Sequence, residues 1–399
     1  MAKCRAKDRS MVDIGAQAFG TNHPSADAGG LRCDVHTGRE MALALTDAIR
    51  SDTLYSGYQH PAFLKPWIAN SPHQPVFLVF RPNASGPVVL PLERTRSGVL
   101  TYPGERQANG NFPIGRASDL AALALAGESA ILRAVRNLPL EADAIILERQ
   151  LPALNKIANP FVFENSFASP NPALALSLDG GFNEVLKRHS AKRRRKRFRG
   201  QERRLAGTGG YRYVPRAEPD RVAATLNRFF ALKAAWFARA GIADVFSDNH
   251  VKAFYHSIFE RGAATEPATH ELKYLEVGGD PIAIIGCTVH RGRLTVEFGS
   301  YDETWSELGP GDMLFFLAIR EAAERGLEFF DFGIGDEFYK RGWCEIETLH
   351  SDTIIPLTLK GQALGASKAI RNGLIRSVKN NKTIWQTVKE LRRRLPIAR

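Results

Sequence analysis

The chain has 399 residues, enough for two or three domains with sizeable cores, and its 54 Lys and Arg against 42 Asp and Glu give a formal net charge of +12. No apolar run approaches the length that spans a bilayer, and the polar, basic stretch 1–10 lacks the apolar core of a secretory signal, so the expected location is cytoplasmic. Cys4, Cys33, Cys287 and Cys344 show no Cys-x-x-Cys spacing, which argues against a zinc site or a disulfide framework, and no metal is expected.

In chain order, residues 1–35 are rich in Gly, Ala, Ser and Asp without periodicity and read as a disordered tail. A first domain is drawn over 36–178: residues 39–51 and 120–137 have helical spacing, while 76–80, 88–93, 144–148 and 172–178 read as strands. Residues 179–210 read as a linking helix. It contains the unbroken cationic run Lys192-Arg193-Arg194-Arg195-Lys196-Arg197, continued by Arg199, Arg203 and Arg204, with Glu202 the only acid among them. Adjacent cations repel one another, so the run is either a solvated face or an anion-attracting patch. Nucleic acid, an acidic membrane face, and a phosphorylated or nucleotide-linked acceptor (or a tRNA carrying the acyl group) all fit such a patch. Phe198 is the lone aromatic within it, which gives base stacking no support.

The second domain is drawn over 211–360, with helices at 220–240 and 248–261, strands at 272–277 and 282–290 around Gly278-Gly279-Asp280-Pro281, and a closing strand at 354–359. Within it, Leu294, Val296 and Phe298 alternate against Thr295, Glu297 and Gly299, as on a strand with two different faces. The turn Leu308-Gly309-Pro310-Gly311-Asp312, a buried helix over 313–325 stopped by Gly326, and an apolar strand over 327–330 complete a βαβ unit. Ligands of such units sit at the C-terminal strand ends, so Tyr301, Gly309, Gly311 and Asp331 are expected to share one edge. The Gly-rich turn either cradles a phosphate on free N–H groups and the positive end of the helix dipole, or is a plain loop with Asp312 as the helix N-cap. Residues 361–399 read as a basic helix: Leu364, Ile370, Leu374, Val378, Trp385, Val388, Leu391 and Leu395 recur at three- and four-residue steps. It is expected to pack on the second domain, with an anionic membrane surface as the alternative.

The strand over 327–330 runs into Asp331-Phe332-Gly333-Ile334-Gly335-Asp336-Glu337-Phe338-Tyr339-Lys340-Arg341-Gly342-Trp343, which delivers acids, a tyrosine, a lysine and a tryptophan over glycine-loosened backbone. Together with Leu308-Gly309-Pro310-Gly311 and the helix between them, this order resembles the CelD-type acetyltransferases associated with bacterial polysaccharide synthesis. Those belong to the GCN5-related N-acetyltransferase (GNAT) superfamily and are similar to Fem-type peptidyltransferases. The resemblance extends back through Arg188-His189-Ser190-Ala191-Lys192-Arg193 to the strand at 172–178 and is weaker before Ser169. It implies an α/β fold of two tandem GNAT-like domains with mixed central sheets, joined by the basic helix. It also implies an acyl donor, acetyl-CoA or another acyl-CoA as co-substrate, with its pyrophosphate at Gly309, Gly311, Asp312 and Met313. Superfamily members that bind acetyl-CoA usually carry Arg or Gln three residues before the Gly-x-Gly pair, where this chain has Ser306.

Acyl transfer needs a group to take the proton of the acceptor and a donor to the developing oxyanion. Asp331 and Lys340 are the first candidates, with Asp336 expected to orient Lys340 and Tyr339 to protonate a leaving thiolate. Glu297 is an alternative base, or a cross-strand charge partner. Arg193, Arg194 and Arg197 on the basic helix, with Trp343, are the expected acceptor-binding residues. The expected function is acyl transfer to an amine or hydroxyl of a saccharide or cell-envelope precursor, in the cytoplasm or at the inner membrane face. Two alternatives stand beside it: Fem-like transfer from aminoacyl-tRNA, and a basic nucleic-acid-binding protein with a vestigial acyltransferase fold.

Overall fold

The structure, a computed structural model, describes residues 25–28, 30–83 and 85–380. Two compact units emerge, one from Met1–Ser169 with His350–Arg371, the other from Pro170–Leu349 with Asn372–Arg399.

The first unit begins with strands β1 (Ser25–Ala28) and β2 (Leu31–Thr37), helices α1 (Arg39–Asp47) and α2 (Pro61–Asn70), and strands β3 (Gln74–Pro82), β4 (Val88–Arg94) and β5 (Val99–Thr101). Helices α3 (Ala117–Ala126) and α4 (Glu128–Arg136) follow, then β6 (Ala144–Gln150), a hairpin of β7 (Ala153–Leu154) and β8 (Ile157–Ala158), and β9 (Phe167–Ala168). The expected tail over 1–35 is corrected in part. Residues 1–24 and 29 lie outside the described residues, but β1 and β2 are paired strands of this sheet. Leu31, Cys33 and Val35 enter the apolar core from alternate positions, while Asp34 and His36 on the other face are buried as well, so polar residues mask the strand period in the sequence.

The second unit runs β10 (Ala173–Ser177), α5 (Gly181–Arg188), α6 (Ala191–Ala206), β11 (Arg212–Val214), α7 (Pro219–Ala240), α8 (Asn249–Ala263), β12 (His270–Val277), β13 (Asp280–His290) and β14 (Arg293–Tyr301). It ends with α9 (Pro310–Glu324), β15 (Phe329–Ile334), the short α10 (Phe338–Arg341) and β16 (Ile346–Thr348). The expected linking segment 179–210 is therefore the opening of this unit. Gln201 and Leu205 of the basic helix are buried, and Leu205 joins the core cluster that holds Met313, Leu317 and Phe330. A helix with a buried stripe is packed and does not act as a free connector.

After the second unit the chain adds β17 (Ser351–Pro356), which lies between β6 and β9, and α11 (Leu359–Asn380). The strand expected to close the second domain thus belongs to the first sheet, where Ile355 stands opposite Ile145 in the core. The C-terminal helix is corrected in the same way. Gly361 brings α11 against the Asp143 carbonyl, where a Cβ would stand 1.8 Å from the oxygen, and Lys368 pairs with Glu148 at 2.8 Å, so its first part docks on the first unit. Trp385, Val388, Leu391 and Leu395 lie outside the described residues.

The two sheets share a pattern. The first has the order β1-β2-β3-β4-β5-β6-β17-β9 and the second β11-β12-β13-β14-β15-β10-β16. Each is an antiparallel meander interrupted by one parallel pairing, β5 with β6 and β14 with β15. Both units are α/β, each built on one mixed central sheet.

Candidate active site

In the second unit the parallel pairing lasts three levels, Arg293 with Phe329, Leu294 with Phe330 and Thr295 with Asp331. Beyond them β14 continues to Tyr301 paired to β13 alone, and β15 continues to Ile334 beside β10. The strands part, leaving backbone groups on the inner edge of β14 without a ladder partner. At the apex Gly333 takes φ +69° and passes so close to β14 that a Cβ would lie 3.0 Å from the Val296 carbonyl, which is why a glycine stands there.

A bulge sets the far side of β14. Cys287 faces Val296 and Gly286 faces Phe298, so Glu297 is the extra residue. Val296 consequently packs into the core with Met313 and Leu314, while Phe298 turns to the other face, stacked on Phe229 at 4.1 Å and edge-on to Tyr255 at 5.0 Å. The expectation that Leu294, Val296 and Phe298 share a face is corrected by this one inserted residue. Glu297 itself is half-buried, and its charge adds to the burial that raises the Tyr255 phenol.

Asp331 lies at the apex. One oxygen pairs with the Arg293 guanidinium at 2.9 Å and the other accepts the Gly333 N–H at 2.7 Å. Burial raises its carboxyl above the usual range, with Arg293, the Gly333 N–H and Lys340 opposing. It is level with Thr295 and so stands six residues, about 20 Å of extended strand, from Tyr301. The expected shared edge of Tyr301, Gly309, Gly311 and Asp331 is therefore corrected for Asp331. Arg293, its partner, is legible only once the register of the two strands is known.

Lys340 is buried, with Nζ donating to the Ile334 carbonyl at 2.8 Å and pairing with Glu337 at 3.0 Å. Asp336, expected to orient it, pairs with Arg341. Glu337 precedes α10 and falls three residues before Lys340 on the same face, whereas Asp336 falls five before Arg341. Tyr339 stacks on Phe315 at 5.4 Å, and burial pushes its phenol well up, which keeps the hydroxyl protonated. Trp343 is corrected from an acceptor contact to a core residue, 3 % exposed, with the Arg194 guanidinium 3.3 Å above its ring.

Lys233 of α7, which sequence reasoning missed, also reaches the opening. Its Nζ donates to the Gly299 carbonyl at 3.2 Å and lies 4.8 Å from the Trp236 ring and 5.5 Å from that of Phe237. Burial lowers its ammonium below the usual lysine range; Glu337 and Asp244 oppose this and Lys340 adds to it. Nothing in the spacing of α7 singles it out.

The Gly-rich turn stands at the mouth. Gly309, at φ +62°, is the N-cap of α9, and Pro310 takes its first position, so the helix begins earlier than expected and Asp312 is not the cap. Gly311 faces the Tyr301 ring, which a Cβ would meet at 3.4 Å. Asp312 pairs with Arg197 at 2.6 Å, and Gln201 donates to the Gly309 carbonyl at 2.9 Å, so the basic helix α6 pins the turn. Met313 is fully buried and its N–H bonds to the Gly309 carbonyl at 3.2 Å, which makes it an anchor of the turn and corrects its reading as a ligand contact. Of the three arginines, Arg194 is held by Trp343, the His189 carbonyl at 2.7 Å and the Gly342 carbonyl, and burial lowers it to about 10. Arg193 and Arg197 face a shallow surface groove with Lys196, Gly200, Arg203 and Arg204.

The equivalent gap of the first unit is filled by the chain itself. Val99, Leu100 and Thr101 pair with Ala144, Ile145 and Ile146, and past them Asn111 bridges to Gln150. The Asn111 N–H donates to the Arg149 carbonyl at 2.9 Å, its carbonyl accepts from Leu151 at 2.9 Å, and Gln59 holds its side chain at 2.9 Å.

Residues 192–341 match the family model described as an acetyltransferase (GNAT) domain. The second unit carries a GNAT domain. Its open strand pair and glycine turn both fall within the matched residues. No curated protein matches the chain. Among solved structures the chain is similar to L-PGS from Bacillus licheniformis, at 13% identity over 78% of this chain and 91% of that one, with a TM-score of 0.49. It is similar to FemX at 12% identity, over 73% and 86%, TM-score 0.43, and to a tandem GNAT protein from the clavulanic acid biosynthesis pathway at 10%, over 80% and 98%, TM-score 0.38. None of these likenesses bears on this chain's substrate. Among the described residues no group of three or more His, Cys, Asp or Glu is placed to hold a metal, and no helix is long and apolar enough to cross a membrane.

Proposed function

We propose that the chain is a CelD-type acyltransferase that moves an acyl group, acetyl in the first instance, from acyl-CoA to an amine or hydroxyl of a saccharide or cell-envelope precursor. The observation that carries this is the parting of β14 and β15 within the matched GNAT residues, with Gly309 and Gly311 at its mouth. An extended, amide-bearing donor finds hydrogen-bonding backbone along β14 there, and the N-terminus of α9 attracts its phosphates. Tyr339 supplies a protonated hydroxyl for the leaving thiolate, and Lys340, held by Glu337 and the Ile334 carbonyl, supplies a donor for the oxyanion. Asp331, tied to Arg293, holds the apex in shape. The chain works on the cytoplasmic side, where its basic groove meets phosphorylated acceptors or anionic headgroups. Acetyl-CoA should raise the melting temperature, and purified protein should acetylate a member of an amino-sugar and sugar panel; no stabilisation by any acyl-CoA sinks this reading.

The groove along α6 favours a second reading, in which the donor is an aminoacyl-tRNA held by Arg193, Lys196, Arg203 and Arg204. Ser306 in place of the usual Arg or Gln agrees with it. Transfer from charged tRNA with no response to acyl-CoA would establish that alternative.

A further inference from the structure

Two lysines reach the opening, and their surroundings differ. The Lys340 amine lies 3.0 Å from the Glu337 carboxylate. Among the described residues Lys233 has no carboxylate at ion-pair distance. Its contacts are the neutral carbonyl of Gly299 at 3.2 Å and the ring faces of Trp236 and Phe237, while Glu337 and Asp244 act on it only from a distance. The Gly299 carbonyl belongs to the stretch of β14 beyond its last pairing with β15, so the amine points at the backbone along which a donor would lie.

We propose that Lys233 is the proton acceptor of the transfer step, taking the proton of the acceptor amine or hydroxyl as that group attacks the acyl carbon; this role rests on the acyltransferase reading above. The nitrogen or oxygen lone pair of the acceptor forms the new bond to the thioester carbon, and its proton passes to the Nζ lone pair. The C–S bond then breaks with its electrons on sulfur, the thiolate is protonated by Tyr339 or solvent, and Lys233 returns its proton to solvent. The base must be neutral to act, and the site provides for that. Burial is the largest influence lowering its ammonium, and the charge of Lys340 works in the same direction. The opposing groups are Glu337, before α10, and Asp244, after α7. A neutral amine still donates one N–H to Gly299, so the geometry survives loss of the proton.

The test uses the full chain and two readouts. In the first, kcat and kcat/KM with acetyl-CoA and the best acceptor are followed across pH for the parent, Lys233→Arg and Lys233→Gln, each checked for an unchanged melting profile. The parent should rise with pH to a plateau as Lys233 loses its proton. Both variants should lose about 100-fold or more in kcat with little change in the KM for donor, and should lose that rise. Lys233→Arg with the parent's rate and profile overturns the proposal, because positive charge alone would then suffice. The second readout needs no activity: limiting acetic anhydride is applied to the parent across pH, and peptides are quantified by mass spectrometry. Lys233 should label at lower pH than the lysine of a free reference peptide in the same tube, and labelling at the same pH as that peptide or above it overturns the proposal. If the parent neither transfers nor is stabilised by any acyl-CoA, the acyltransferase reading falls and this role with it; if the parent transfers and the variants keep its profile, only this role falls.

Discussion

The Arg293 guanidinium stands 2.9 Å from the Asp331 carboxylate, and the pair spans the three levels at which β14 and β15 hydrogen-bond, Arg293 at the first and Asp331 at the last. An ion pair in that place acts as a clasp at the base of the cleft, which separates the strength of the apex from the chemistry further out.

Arg293→Met should therefore destabilise the protein by about 2 kcal/mol, since it leaves a largely buried carboxylate with only the Gly333 N–H. Asp331→Asn should cost less, because an amide keeps a hydrogen bond to Arg293 and carries no charge. Urea unfolding of the two variants decides it, and equal losses would mean the pair is not the strut described.

Lys340→Ala is expected to abolish transfer and also to lower stability by roughly 1–2 kcal/mol, because the buried amine satisfies the Ile334 carbonyl and Glu337. Lys340→Met keeps the packing of the stem and should recover part of the stability without recovering turnover. Near-normal turnover in either variant would remove Lys340 from the site.

Gly311→Asp places a side chain toward the Tyr301 ring and a second negative charge next to Asp312. Acyl-CoA should then fail to raise the melting temperature of the variant while still raising that of the parent. Gly309→Ala tests the turn by another route, since its φ of +62° costs a Cβ-bearing residue about 1 kcal/mol.

In the first unit Glu93 is 2 % exposed, with one oxygen accepting from the Trp67 indole at 2.8 Å and Ser71 at 3.1 Å, and burial pushes its carboxyl from the usual 4.5 up to about 7. Between those values the folded chain holds a proton that the unfolded chain has released, so this group's contribution to stability falls as pH rises through that window, by roughly 3 kcal/mol in all. His73, raised chiefly by its hydrogen bond to Glu105, pulls the same way, its contribution being lost as pH rises past its folded value. Glu93→Gln should flatten much of the pH dependence and gain on the parent as pH rises; unfolding at pH 5.5 and 8.5 measures it.

Much of the fold was legible because it rests on local periodicity. The βαβ order around Gly309 and the basic helix follow from spacing and punctuation that a strand, a turn and a helix each require. What stayed hidden depends on pairing between distant segments. Ile355 reads as a strand residue anywhere, but only the register with Ile145 assigns β17 to the first sheet. The bulge at Glu297 reverses Phe298, and the glycine that makes room for its ring, Gly286, stands on the neighbouring strand, where only the register links the two. Asp331, Lys340 and the glycine turn stood out by residue type, while their partners did not: Arg293 beside Asp331 was not foreseen, and Glu337 takes the place expected of Asp336 beside Lys340. Lys233 lies on a helix whose other residues carry no sign of chemistry, and only the fold brings it to Gly299.

Asn111 bridges to Gln150 on β6 while Ile114 bridges to Val89 on β4, so the first unit closes with its own backbone the kind of opening that β14 and β15 leave in the second. Such a self-supplied strand is present at unit effective occupancy and cannot be competed away by dilute ligand. Calorimetric titration with acyl-CoA should accordingly saturate at one equivalent per chain.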